Sequence, residues 1–160
     1  MAELNFTIYA QQNTNWCWAG CSYSIAKFYD PATSWTQAKI VNAELGRTDC
    51  EINGSSSACN IPWYLDRALT RVGYFYKIYT GQPTLADAEG ELSNGTPFGA
   101  RIGWSTGGGH FVVVSGASTS TGYVTVKDPW GGATKNMTWN TFCNYYESQG
   151  RLTHYYETKQ

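Results

Sequence analysis

Up to Gly73, apolar positions recur at helical spacing, and beyond it they cluster as in strands. Cys17 to Tyr29 carries Ala19, Ile25, Ala26 and Phe28 among small residues. Asp30-Pro31 ends that run, because a proline disfavours helical backbone in the residue before it. Ser34 stands where it can cap a second helix through Ala38, Val41 and Leu45, which Gly46 stops. Ile61, Leu65, Ala68, Leu69 and Val72 predict a third helix, closed by Gly73.

The remainder changes character. Tyr74 to Tyr79 is aromatic-rich and strand-like, and Thr84 to Leu92 predicts a short helix. Three strands are expected over Pro97 to Gly103, His110 to Ser115 and Gly122 to Lys127, because their Val, Ile, Phe and Tyr content and Gly-rich connections suit an antiparallel sheet. A last helix around Thr138 to Tyr146 and a strand near Leu152 to Tyr156 complete the pattern. Helices first and strands after predict an α+β domain, with a cleft between an N-terminal helical half and a C-terminal sheet. No repeat, charged block or low-complexity linker divides residues 1–160, so a single domain is expected.

Composition narrows the function. Charged residues make up 14% and the net charge is -1, which offers no polyanion-binding surface and argues against nucleic acid as a partner. The apolar run Phe111 to Val114 is far below the ~20 residues that span a bilayer, so no membrane partner is expected. MAELNFTIYA lacks a basic stretch followed by a long apolar one, so no secretory signal is visible, and export by another route stays open. Aromatics reach 16%, including seven tryptophans, which fits rings filling a small core and lining a cleft better than a glycan-stacking surface.

Five cysteines is an odd number, which raises the question of which is not structural. Cys50 and Cys59 flank the Gly- and Ser-rich loop CEINGSSSAC, which a disulfide can close; a bridge implies an oxidising compartment. Zinc is the rival, weakened by the lack of a CxxC pair and by the distance of both histidines. Cys21 and Cys143 are expected in the core, His154 in a structural role, and Asp87, Glu89 and Glu91 on a solvated helix face.

Cys17 has the context of a nucleophile. A thiolate is the reactive form, and a helix N-terminus favours it through the positive end of the helix dipole. Cys17 opens the first predicted helix, and Gln11 lies six residues upstream, where its amide can donate to an oxyanion. His110 follows Gly107-Gly108-Gly109, glycines that let a substrate backbone approach closely. Asp128-Pro129-Trp130 lies after the next strand, and antiparallel pairing sets the start of one strand beside the end of its neighbour. Asp128 is therefore expected to orient His110, with Trp130 shielding their bond from water, while Trp104, just before the glycine run, suits a cleft wall or core packing equally.

Gln11, Cys17-Trp18-Ala19, Gly109-His110 and Asp128-Pro129-Trp130, in that order, resemble papain-like cysteine peptidases. The similarity is strongest to a bacterial branch that includes plant-pathogen avirulence effector proteases. It extends to ELGRTDC at 44–50, RIGWSTGGGHFVVV at 101–114, VKDPWGG at 126–132 and RLTHYYETK at 151–159, and so covers nearly the whole chain. The resemblance implies a papain-like fold, Cys17 as nucleophile, His110 as acid/base, Asp128 as orienting residue and Gln11 as oxyanion donor. Gly108, Gly109, Trp104 and Trp130 would then contact substrate. Plant papains usually carry asparagine where Asp128 stands, and their Cys-to-His interval of ~130 residues is longer than that from Cys17 to His110.

The expected activity is hydrolysis of specific protein targets without metal or cofactor. The resemblance further implies a secreted or cell-delivered bacterial effector or toxin, with an immunity protein or host activator as partner. Without export the protein would be cytoplasmic. The same residues would serve a leader peptidase cutting after paired glycines, or a glutamine deamidase or transglutaminase. A disulfide-braced binding module is the non-enzymatic alternative.

Overall fold

The computed structural model describes residues 1–160. In chain order it comprises β1 (Ala2–Glu3), α1 (Cys17–Tyr29), α2 (Gln37–Leu45), α3 (Leu65–Val72), β2 (Phe75–Thr80), α4 (Leu85–Ser93), β3 (Phe98–Trp104), β4 (Gly109–Ser118), β5 (Tyr123–Asp128), β6 (Ala133–Thr138), α5 (Trp139–Asn144) and β7 (Gly150–Thr158). Six strands form one antiparallel sheet in the order β2-β7-β3-β4-β5-β6, and β1 pairs with the far end of β4. The expected α+β architecture is the one observed, with most of the helices first and most of the sheet after them.

The sheet is covered on both faces, which explains why FVVV in β4 is a continuous apolar run rather than an alternating one. Phe111 and Val113 enter one core with Trp18, Ile25, Ile40, Leu69 and Tyr156, beneath α1, α2 and α3. Val112 and Val114 point the other way, into a second core with Ile102, Val126, Leu92 and Phe142 under α4 and α5. Burying apolar side chains on both faces, at roughly 1.5–3 kcal/mol each, makes β4 the centre of the molecule.

Several local details differ from expectation. Thr36, not Ser34, caps α2, its hydroxyl accepting from the Lys39 N–H at 3.1 Å. The sequence ATKNMT forms β6, an edge strand whose side chains alternate between half-buried and exposed; too few of them are apolar for the pattern to announce a strand. Helix α5 stops at Asn144, two residues short, because the chain turns back through Glu147 and Ser148, both with positive φ of 50° and 63°. Of the acidic residues on α4, only Asp87 is solvated: Glu89 pairs with the N-terminal amine and Glu91 accepts from Thr96.

Helix α1 is buried almost all round, with Ser22 and Ser24 returning their hydroxyls to the Trp18 and Gly20 carbonyls. Gly20 permits its close approach to the sheet half, since a Cβ there would sit 3.2 Å from Pro129 Cβ and 3.4 Å from Gln11 Cβ. A disulfide joins Cys50 to Cys59, which sets aside the zinc reading for this pair. Cys21 and Cys143 are free and buried, as expected. The bridged loop braces the approach to Cys17: Trp16 Nε1 donates to Cys59 O at 2.9 Å, Trp18 Nε1 to Ile61 O at 2.9 Å, and the Asn15 N–H to Asn60 Oδ1 at 2.8 Å.

Closing a loop of this length contributes about 3 kcal/mol by constraining the unfolded chain. The double variant Cys50→Ser, Cys59→Ser is therefore expected to lose about 2–3 kcal/mol in a urea titration. A midpoint equal to that of the oxidised parent would show that the bridge does not stabilise the fold.

Candidate active site

Cys17 is the first residue of α1, half-buried, with Trp16 at the cap position and no side chain capping the helix. The N–H groups of the first turn are therefore not claimed by a side-chain cap and face outward beside the thiol. His110 is the second residue of β4, and Asp128 the last of β5. The β4–β5 pairing runs toward them through Val113 and Lys127, and it brings the two side chains together: His110 Nε2 donates to Asp128 Oδ1 at 2.7 Å. The ring's other nitrogen is not used by that carboxylate, and Cys17 lines the same cleft, close enough to help raise the His110 pKa.

Burial alone would lower the His110 pKa, but the bonds and charges of Asp128 and Cys17 outweigh it and raise the ring to about 9. Asp128 is only 1% exposed, and burial would raise its pKa. The His110 bond and charge, the Tyr146 hydroxyl and the Trp130 N–H reverse this and hold it down at about 2. The imidazolium–carboxylate pair is thus the stable form at neutral pH. Cys21, one turn along α1, shows the opposite behaviour: burial first, then the charges of Cys17 and Asp128, push its thiol well up and keep it protonated.

Two residues here were missed by the sequence reading. Tyr146 is fully buried and donates its hydroxyl to Asp128 Oδ2 at 2.6 Å. Lys135 on β6 approaches the same oxygen at 3.4 Å, bonds Glu147 at 2.7 Å and lies over the Tyr146 ring. Tyr146 was expected inside a helix and Lys135 outside any strand, so neither carried a positional signal.

The tryptophans also require comment. Trp104 stacks on His110, with ring centroids 6.0 Å apart, and lines the cleft as expected. Trp130 lines it too and is an exposed residue. Its contribution to the carboxylate is its backbone N–H, 2.9 Å from Asp128 Oδ1. Cys17, His110, Asp128, Trp104, Trp130 and Gly109 share one cleft of about 400 Å³, while Gly108 lines an adjoining groove.

Gln11 lies outside that cleft lining. Its Nε2 donates to the carbonyls of Asn13 at 3.0 Å and Thr14 at 2.9 Å, and its buried Oε1 has no partner. Its backbone N–H donates to Pro129 O at 2.8 Å, tying the loop before α1 to the loop that carries Asp128. The amide thus braces the cysteine loop in this state. The side chains able to hold a metal near one another are Asp49, Cys50 and Cys59, and both thiols are consumed by the disulfide.

The pair's two pKa values fix a pH window. The contribution of His110 to stability is complete below its ordinary 6.5 and is lost as pH rises through about 9. That of Asp128 is complete above its ordinary 3.8 and is lost as pH falls through about 2. Stability from the pair is therefore expected to plateau between 3.8 and 6.5, checked by urea midpoints across pH. Tyr146→Phe withdraws one donor from a buried carboxylate, at a cost of about 1–3 kcal/mol, and moves the acid limb to higher pH. An acid limb left in place would show that the phenol contributes nothing to the carboxylate.

Among curated proteins no match is found. Among solved structures, the crystal structure of the Pseudomonas avirulence protein AvrPphB is similar over 98% of each chain, with 8% identity and a TM-score of 0.42. The model of the Peptidase_C39-like family matches residues 3–154. The chain therefore belongs to the Peptidase_C39-like family and is a cysteine peptidase.

Proposed function

We propose that the protein cleaves peptide bonds in protein substrates through a Cys17–His110–Asp128 triad. The observation that carries this reading is the orientation of His110, bonded through Nε2 to a buried carboxylate at 2.7 Å, in one cleft with Cys17. His110 enters the cycle as the imidazolium, and the Cys17 thiolate beside it attacks the substrate carbonyl carbon. The backbone N–H of Cys17, at the open helix start, receives the oxyanion. Gln11 joins it by releasing one of its two loop carbonyls, since donors of this kind often tighten only in the substrate complex. As the C–N bond breaks, His110 gives its proton to the leaving amine. It then takes a proton from water, whose oxygen displaces the thiolate from the thioester.

The Cys50–Cys59 bridge supports action or maturation in an oxidising compartment, and hence export or delivery rather than residence in a reducing cytosol. No helix is long and apolar enough to cross a membrane. A second reading, cleavage after paired glycines, draws on the family match and on Trp104 and Trp130 flanking Cys17 in the cleft. Peptides ending in Gly-Gly before the cut bond, compared with Ala-Ala counterparts, decide it; equal rates would remove it.

Cys17→Ala is expected to abolish turnover and preserve the fold. N-terminal labelling of lysates treated with wild type or Cys17→Ala tests this: new termini confined to wild type are expected, and identical termini in both would refute the mechanism. Release of ammonia without new termini would instead indicate side-chain amide chemistry. Activity depends on the imidazolium of the ion pair, so kcat/KM is expected to hold through neutral pH and fall as His110 titrates near 9. In Cys17→Ala the loss of the sulfur partner lowers the His110 midpoint, read by NMR. A midpoint that stays at about 9 would show that the two groups do not interact.

A further inference from the structure

A groove of about 570 Å³ adjoins the Cys17 cleft and shares Pro62 and Gly109 with it. Its floor is the face of the sheet where Phe111, Arg101 and His154 lie in one cross-strand row. Trp63, Tyr64 and Asp66, leading into α3, form its other wall. The Arg101 guanidinium lies over the cross-strand pair Gly103–Gly109: a Cβ on Gly109 would fall 2.7 Å from Nη2, and one on Gly103 would fall 3.2 Å from Nη1. Two positions without side chains are thus what leaves room for this cation, one residue from His110.

Arg101 is not balanced by the fold. Its Nη1 donates to Thr153 Oγ1 at 2.9 Å, a neutral hydroxyl also bonded to His154 Nδ1. The molecule's ion pairs do not include Arg101. A guanidinium has five N–H donors, and a half-buried one beside aromatic rings is ordinarily matched by a carboxylate. Asp66 faces the same groove but forms no ion pair with it; it sits in the first turn of α3, where the helix N-terminus already offsets its charge.

Resting on the reading of Cys17 and His110 as the cutting site, we propose that Arg101 is a specificity-determining residue. It selects substrates with an aspartate, glutamate or other carboxylate within about three residues of the cut bond. An extended chain leaving the cleft past Gly109 lays a side chain over the guanidinium, which presents its free donors as a fork to the carboxylate.

The test is digestion of a proteome-derived peptide library, with both ends of each cut identified by mass spectrometry. Acidic residues are expected to be enriched at one position within about three residues of the cut. Arg101→Gln is expected to lower the acidic-to-neutral ratio of kcat/KM by about tenfold, Arg101→Lys to retain most of it, and Arg101→Glu to shift preference toward basic residues. Absence of acidic enrichment, or enrichment that survives Arg101→Gln, overturns the assignment. A second arm retains the same library on immobilised Cys17→Ala protein. Acidic enrichment that Cys17→Ala, Arg101→Gln loses supports Arg101, and retention indifferent to charge overturns it. A library that wild type leaves uncut tells against the peptidase reading, and the retention arm still decides Arg101.

Discussion

The Asp128 carboxylate is the constraint around which the sheet half is organised. Burying a lone charge costs several kcal/mol, and this one is buried with four donors from separate pieces of chain. His110 comes from the start of β4, the Trp130 N–H from the loop after β5, Lys135 from β6 and Tyr146 from the turn after α5. Each must arrive at the right place for the others to be useful, so the carboxylate fixes the relative position of three strands and a turn. The turn accepts strain to do so. Glu147 and Ser148 occupy left-handed backbone, at roughly 1–3 kcal/mol each, and in return Tyr146 reaches Oδ2 while Glu147 holds Lys135.

The helical half is docked onto that centre rather than built into it. Contact depends on Gly20 letting α1 reach Pro129, on the Gln11 N–H to Pro129 O bond, and on the disulfide loop holding the indoles of Trp16 and Trp18. None of these groups caps α1. The open helix start beside Cys17 is therefore preserved by tertiary contacts acting at a distance from it, whereas a serine or aspartate cap would have occupied the N–H groups that an oxyanion needs.

Fold class and the meeting of Cys17, His110 and Asp128 were legible in the sequence because each rests on a local rule. A cysteine opens an apolar helix, a histidine opens a strand, and antiparallel pairing returns Asp128 to that strand's start. What escaped rests on pairing that no local pattern encodes. β6 is a strand only because β5 offers it hydrogen bonds, so Lys135 had no place in a sheet before the sheet was known. Tyr146 was hidden because Glu147 and Ser148 take a conformation usually left to Gly or Asn. Trp130 adds a contact that its side chain could not announce: its backbone N–H donates to Asp128 Oδ1.

The small size of the helical half also shapes what the enzyme can recognise. Three short helices cover part of one sheet face, and their cover stops at the segment from Pro62 to Asp66. Beyond that margin Arg101 and His154 remain half-buried on the sheet face, in a row with the buried Phe111 next to His110. In this chain the unfilled strip leaves a cation, two aromatic edges and bare glycine backbone next to the reacting groups. On the reading proposed for Arg101, selectivity is written in the face of the sheet, using residues already needed to form it, with no additional loop.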